Sequence, residues 1–132
     1  MTLEDLHKQV DLDLKIDDTE LDLESIRTPQ LHNKYLKQYT KFSLQYKKAK
    51  DDYSTSAPEV YQENPFDFKV LKTDVYIYLD ADKELQEADQ KKEYLKQVVN
   101  YLERVLREIN NRNWNIKNTI EWKKFIHGEW WP

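Results

Sequence analysis

From Leu85 onward the apolar residues return at steps of three and four: Leu85, Ala88, Leu95, Val99, Leu102, Leu106 and Ile109, with Lys92 the one polar residue in the series. No feature constrains the fold more, because that spacing puts side chains on one side of an α-helix but on both sides of a strand. A second stripe of Tyr94, Val98, Tyr101 and Val105 runs beside the first. Together they form a face wider than one partner helix covers, so the long helix predicted over about 82–110 meets several neighbours. Asp80 or Asp82 can supply its cap.

A similar seam lies upstream, where Leu31, Tyr35, Tyr39, Phe42, Tyr46, Ala49 and Tyr53 recur at near-heptad intervals. Thr28-Pro29 reads as the start of this helix, since proline at a first helical position lacks only an N–H that would be unpaired anyway. Ser54-Thr55-Ser56-Ala57-Pro58 reads as its end, giving a helix over about 29–53 and a linker over 54–79. Within the linker, Val75, Ile77 and Leu79 alternate with Tyr76 and Tyr78, so a short extended segment is expected near 66–79. Shorter helices are expected at both ends. Thr2 can cap the first, with Leu3, Leu6 and Val10 on one face, and a second short amphipathic turn follows Asp17-Asp18-Thr19. After a turn at Asn110–Asn113, a last helix over about 115–127 carries Ile116, Ile120 and Phe125 and stops at Gly128. The expected class is mainly all-α: two long helices plus short N- and C-terminal helices, in one domain spanning 1–132. A single glycine in 132 residues agrees with long uninterrupted helices.

Charge is distributed in blocks that the net value of −4 conceals. Residues 1–26 are strongly acidic, residues 27–50 hold seven basic residues and no acid, residues 51–90 are acidic again, and residues 91–132 are basic. For a polyanion the local field of the 27–50 block matters more than the net charge. No cysteine is present, so disulfide and thiol chemistry are excluded, in keeping with a reducing cytoplasm. The opening Met1-Thr2-Leu3-Glu4-Asp5 is unlike a signal peptide, and no apolar run approaches the roughly 20 residues needed to cross a bilayer.

Catalytic chemistry finds no support. His7, His32 and His127 fall in separate elements without ligand spacing, and Asp11-x-Asp13 and Asp80-x-Asp82 are better read as caps and solvated acids. One glycine cannot build a phosphate-cradling loop. The chain reads as a non-enzyme without a metal or other cofactor. What remains is the basic helix. Its lysines, interleaved with Tyr35, Tyr39, Tyr46 and Tyr53, suit phosphates and stacked bases, but the same pattern describes a core seam with a solvated back. Pattern alone favours the second description, and the two are compatible.

Several segments resemble a known family. Leu3-Glu4-Asp5-Leu6, Ile16-Asp17-x-Thr19-x-Leu21, Leu31-x-x-Lys34-Tyr35-Leu36, Leu79-x-Ala81-Asp82-Lys83, Arg112-Asn113-Trp114-x-Ile116-Lys117-x-x-Ile120 and Phe125-x-x-Gly128 together look like the UvsY-like recombination mediators of T-even-type bacteriophages and their relatives. The resemblance covers about two thirds of the chain. It implies a non-enzymatic protein that binds single-stranded DNA and helps a RecA-like phage recombinase replace the single-stranded-DNA-binding protein. It further implies a ring-like homo-oligomer, assembled through its C-terminal region, in the cytoplasm of an infected bacterial host.

On that basis Lys37, Lys41, Lys47, Lys48, Lys50 and Tyr53 are the expected DNA-binding residues, with Arg104, Arg107, Arg112 and Lys117 as a fallback. Leu95, Val98, Leu102, Val105, Ile116, Ile120 and Phe125 are the expected assembly residues. Lys48-Ala49-Lys50-Asp51-Asp52-Tyr53 resembles the family's basic motif but arrives early and carries two acids. That departure keeps open an alternative: an interaction adaptor, or a coiled-coil structural protein, with weak DNA binding.

Overall fold

Capping fixes where the first helix begins. Thr2 is extended, and its Oγ1 accepts from the Asp5 N–H at 3.2 Å while the Thr2 N–H donates to Asp5 Oδ2 at 3.1 Å. This reciprocal box satisfies two amides that would otherwise lack helical partners. The hydrogen bonds from Thr2, backbone first, also hold the Asp5 carboxyl below its ordinary value. In the computed structural model, which describes residues 2–63 and 83–128 (side chains at 2–55 and 83–128), three helices follow in order. They are α1 (Leu3–Asp13), α2 (Leu21–Glu63) and α3 (Lys83–His127). The described residues contain no strand. The extended segment expected near 66–79 lies outside them.

Three expected boundaries are overturned. Thr28-Pro29 does not start a helix: α2 is already running from Leu21, and the turn after Asp17-Asp18-Thr19 is its entry. There Asp17 Oδ1 accepts from both the Thr19 N–H (3.0 Å) and the Thr19 hydroxyl (2.6 Å), a local turn leading into the helix. Pro29 leaves the Ser25 carbonyl without its helical partner. Burial of Thr28, Leu31 and Tyr35 around it holds the helix through that break. The Ser54–Pro58 stretch is likewise helical, α2 ending at Glu63. Nor is there a turn at Asn110–Asn113. Ile109, Arg112 and Ile116 are buried at helical spacing, so the expected 82–110 and 115–127 helices are one continuous α3.

The chain divides into two compact units, with each long helix contributing to both. The first takes residues up to Tyr39 and from Tyr101 onward. Its buried residues are Leu6 and Val10 of α1, Thr28, Leu31 and Tyr35 of α2, and Leu102, Val105, Ile109, Arg112 and Ile116 of α3. Each large aliphatic side chain buried there contributes about 1.5–3 kcal/mol. Tyr35 is wholly buried, and its hydroxyl donates to Asp13 Oδ2 at 2.7 Å, where Lys34 Nζ also donates at 2.6 Å. The second unit, Thr40–Asn100, buries Ala49 with Leu85, Leu95, Val98 and Val99.

The α1–α2 junction in the first unit is held through its main chain by three cations. Arg27 Nη2 donates to the carbonyls of Asp13 (2.7 Å) and Lys15 (3.2 Å). Arg112 Nη2 donates to the Lys15 carbonyl at 3.1 Å, and Lys123 Nζ donates to that of Asp18. Arg112 Nη1 reaches the Thr28 hydroxyl (2.7 Å) and the Glu24 carbonyl (2.8 Å), and its Nη2 pairs with the Glu24 carboxylate. At 3% side-chain exposure, the Arg112 charge depends on those partners for what water would otherwise supply.

Candidate nucleic-acid interface

The basic block lies wholly on α2, and helix periodicity sorts its lysines. Lys41 and Lys48 are seven residues apart and share a side with exposed Leu44 between them; Lys37 precedes Lys41 by about one turn. Lys47 sits about a quarter turn from that line, and Lys50 lies on the flank toward Tyr46. All five lysines are exposed, and among the described residues none pairs with a carboxylate. Lys37 belongs to the first unit and the other four to the second. The opposite side of the helix carries buried Ala49 and half-buried Phe42 and Tyr46. The aromatic seam therefore faces inward, and Lys37, Lys41, Lys47 and Lys48 face away from it.

Stem packing steadies two of these charges. Lys41 Nζ lies 5.8 Å from the Phe42 ring centre, and Lys50 Nζ lies 5.1 Å from that of Tyr46. Tyr53 is placed differently from the lysines. It is half-buried, and Lys92 Nζ sits over its ring at 4.2 Å, so a base stacking there would compete with an ammonium. Lys92 is the residue that interrupts the α3 seam, and this contact accounts for it. Its hydrogen bond to Asp89, 3.1 Å away, holds the ammonium above its ordinary value.

Among the fallback cations, Arg112 is buried in the junction network and has no surface to offer DNA. Arg104, Arg107 and Lys117 are exposed, Arg107 within 4.0 Å of Glu103.

The expected assembly residues divide sharply. Leu95, Val98, Leu102, Val105 and Ile116 are each at most 5% exposed, consumed by packing within the chain. Ile120 is half-buried, and Phe125 is 56% exposed and stacked on Trp122 with ring centres 5.6 Å apart. Sequence reasoning missed Trp114, Trp122 and Ile126, which share this exposed C-terminal stretch of α3. Their excess over what the seam needs was a readable signal. Among the described residues no group of side chains is arranged to hold a metal, and no described helix is long and apolar enough to cross a membrane.

Comparison with known proteins gives this arrangement a context. The chain matches the family model described as recombination, repair and ssDNA binding protein UvsY, over residues 9–129. It belongs to the UvsY family. That family is defined by recombination, repair and single-stranded-DNA binding rather than by a catalysed reaction. Crystal structures of the UvsY recombination mediator protein of bacteriophage T4 share the fold. One superposes with a TM-score of 0.87 at 21% identity, covering 95% of this chain and 98% of the other. In two further lattice types the TM-scores are 0.85 and 0.84, at 22% and 19% identity, covering 96% and 92% of this chain and 98% of each T4 chain. No curated protein sequence matches the chain. At such identities the structural likeness establishes a UvsY-type helical fold, and the family match places the chain in recombination and repair.

Proposed function

We propose that this UvsY-family chain is a recombination mediator. In this reading it binds single-stranded DNA through the lysine side of α2 and helps load a RecA-like phage recombinase where single-stranded-DNA-binding protein already sits. The observation that carries the reading is the set of exposed lysines, Lys37, Lys41, Lys47, Lys48 and Lys50, none paired with a carboxylate among the described residues. Phosphates need such unpaired cations, and a run of them on one helix is tolerant of sequence. Tyr53 contributes stacking only where a base displaces Lys92. Self-assembly into a ring, through the exposed Trp122, Phe125 and Ile126 stretch, would raise affinity by offering several lysine helices to one strand. The site of action is the cytoplasm of the infected bacterial host.

Changing Lys41, Lys47 and Lys48 together to Ala is expected to weaken oligonucleotide binding and flatten its salt dependence. At a slope of about 0.7 per phosphate neutralised, the log–log slope should fall by roughly 2. Unchanged affinity and slope would move the site to Arg104, Arg107 and Lys117. Exposed Asp51 and Asp52, one turn past Lys48, favour a second reading: an adaptor whose own DNA binding is weak. Recombinase loading on covered DNA separates the two, since a mediator shortens the lag and an adaptor of that kind does not.

A further inference from the structure

Within the second unit, a small pocket opens beside Tyr53 that phosphate binding by the lysines does not explain. Its walls are Tyr53 of α2 and Leu85, Gln86 and Asp89 of α3, and its volume is about 180 Å³. Drug-sized ligands take roughly 300–1,000 Å³, so this pocket suits a single planar ring. Leu85 is buried, Tyr53 and Asp89 are half-buried, and Gln86 is exposed. Gln86 and Asp89 stand three residues apart on one side of α3, which brings an amide and a carboxylate to the same space. A purely aliphatic gap would take any apolar group. This one offers a ring to stack on, an apolar wall, an amide and a carboxylate, the groups that hold a nucleobase by its face and by its edge.

The charges around the pocket fit the rest of a nucleotide. Lys92 Nζ lies 4.2 Å from the Tyr53 ring centre and 3.1 Å from Asp89 Oδ1. Lys50, which is exposed, precedes Tyr53 by about one turn on the same flank of α2. We propose that Tyr53, Leu85, Gln86 and Asp89 form a base-reading pocket for single-stranded DNA, selective for a base with an exocyclic amino group, with Lys92 and Lys50 on the adjoining phosphates. It rests on the DNA reading above and adds to that sequence-tolerant binding a preference at one nucleotide.

The selection follows from the carboxylate, which only accepts hydrogen bonds. Cytosine presents its N4 amino group to Asp89 and a ring nitrogen to the Gln86 amide. Thymine turns its O4 toward the same carboxylate, setting acceptor against acceptor. Entry of the base is an exchange of partners. The Lys92 ammonium leaves the ring and Asp89 for a phosphate, and the amino group of the base replaces it on Asp89. Neither charge is left buried without a partner.

The test compares oligo-dC with oligo-dT of equal length on full-length chains, since the two pyrimidines stack alike and differ in the amino group. Wild type should favour dC, and Asp89→Ala should lower the dC:dT affinity ratio about fivefold. Asp89→Asn, which keeps the shape but can turn its amide to suit either base, should lower the ratio as well. Glu93→Gln removes the same charge from an exposed neighbour of Lys92, so it should tighten both oligonucleotides alike and leave the ratio unchanged. If the ratio holds in both Asp89 variants, or falls equally in Glu93→Gln, the pocket is overturned while DNA binding itself stands. A wild-type chain that binds neither oligonucleotide would sink the DNA reading and the pocket with it.

Discussion

Arg112 makes four polar contacts from one buried guanidinium. Its guanidinium joins the Glu24 carboxylate and carbonyl, the Thr28 hydroxyl and the Lys15 carbonyl from a buried position. Arg112→Met would strand those acceptors, and a loss of about 3–5 kcal/mol is expected from urea unfolding. Arg112→Lys should recover little, because one ammonium cannot reproduce a planar fork that bonds on two sides. A near-wild-type midpoint for the Met variant would show that the network contributes no stability. Asp13 is a second residue whose charge matters. Burial alone would raise its carboxyl, but the hydrogen bonds from Lys34 and Tyr35, with the nearby charges of Lys34 and Arg27, outweigh burial and hold it below 3.8. A carboxyl lowered by folding adds stability that is fully present above its ordinary value and fades as the pH falls through the folded value. The stability difference between wild type and Asp13→Asn should therefore be constant above about pH 5 and shrink below about pH 4. A difference that persists to lower pH would mean that shape rather than charge is what Asp13 supplies.

At the scale of elements, Pro29 is the anomaly, a proline well inside a 43-residue helix. Pro29→Ala restores a partner for the Ser25 carbonyl and removes the ring's clash, so thermal melting should show a gain of about 1–3 kcal/mol. A loss would mean that the neighbouring Thr28–Arg112 contacts need the local opening that proline enforces. The same residue shows where sequence reading stops. The periodicities of α2 and α3 were legible because three-and-four spacing follows from helix geometry alone, and Thr2 was legible as a cap because its partners lie within three residues. Pro29 and the Asn110–Asn113 run were misread as boundaries, since local propensity says break and only tertiary burial, as at Thr28 and Arg112, says continue. The lysine face was visible in the charge blocks. Which apolar residues remain outside was not, because Leu95 and Phe125 look alike until the packing partners of each are known.

For the whole molecule, the useful assembly test differs from the one the sequence suggests. Truncation before Asn115 would remove buried Ile116 and the Lys123 contact to the junction, and so would damage the first unit along with any interface. Trp122→Ser with Phe125→Ser touches exposed rings instead. The pair should lower the mass in solution while moving the unfolding free energy by less than about 1 kcal/mol. Full-length mass in that variant would place the assembly surface elsewhere. The manner in which the α1–α2 junction is held has a wider consequence. Arg27, Arg112 and Lys123 grip carbonyl oxygens, which every residue possesses, so these contacts ask nothing of the side chains at positions 15 and 18. Those two positions can drift in sequence, and change their charge, while the helices around them stay in register: related chains are free to diverge there and still inherit the same scaffold.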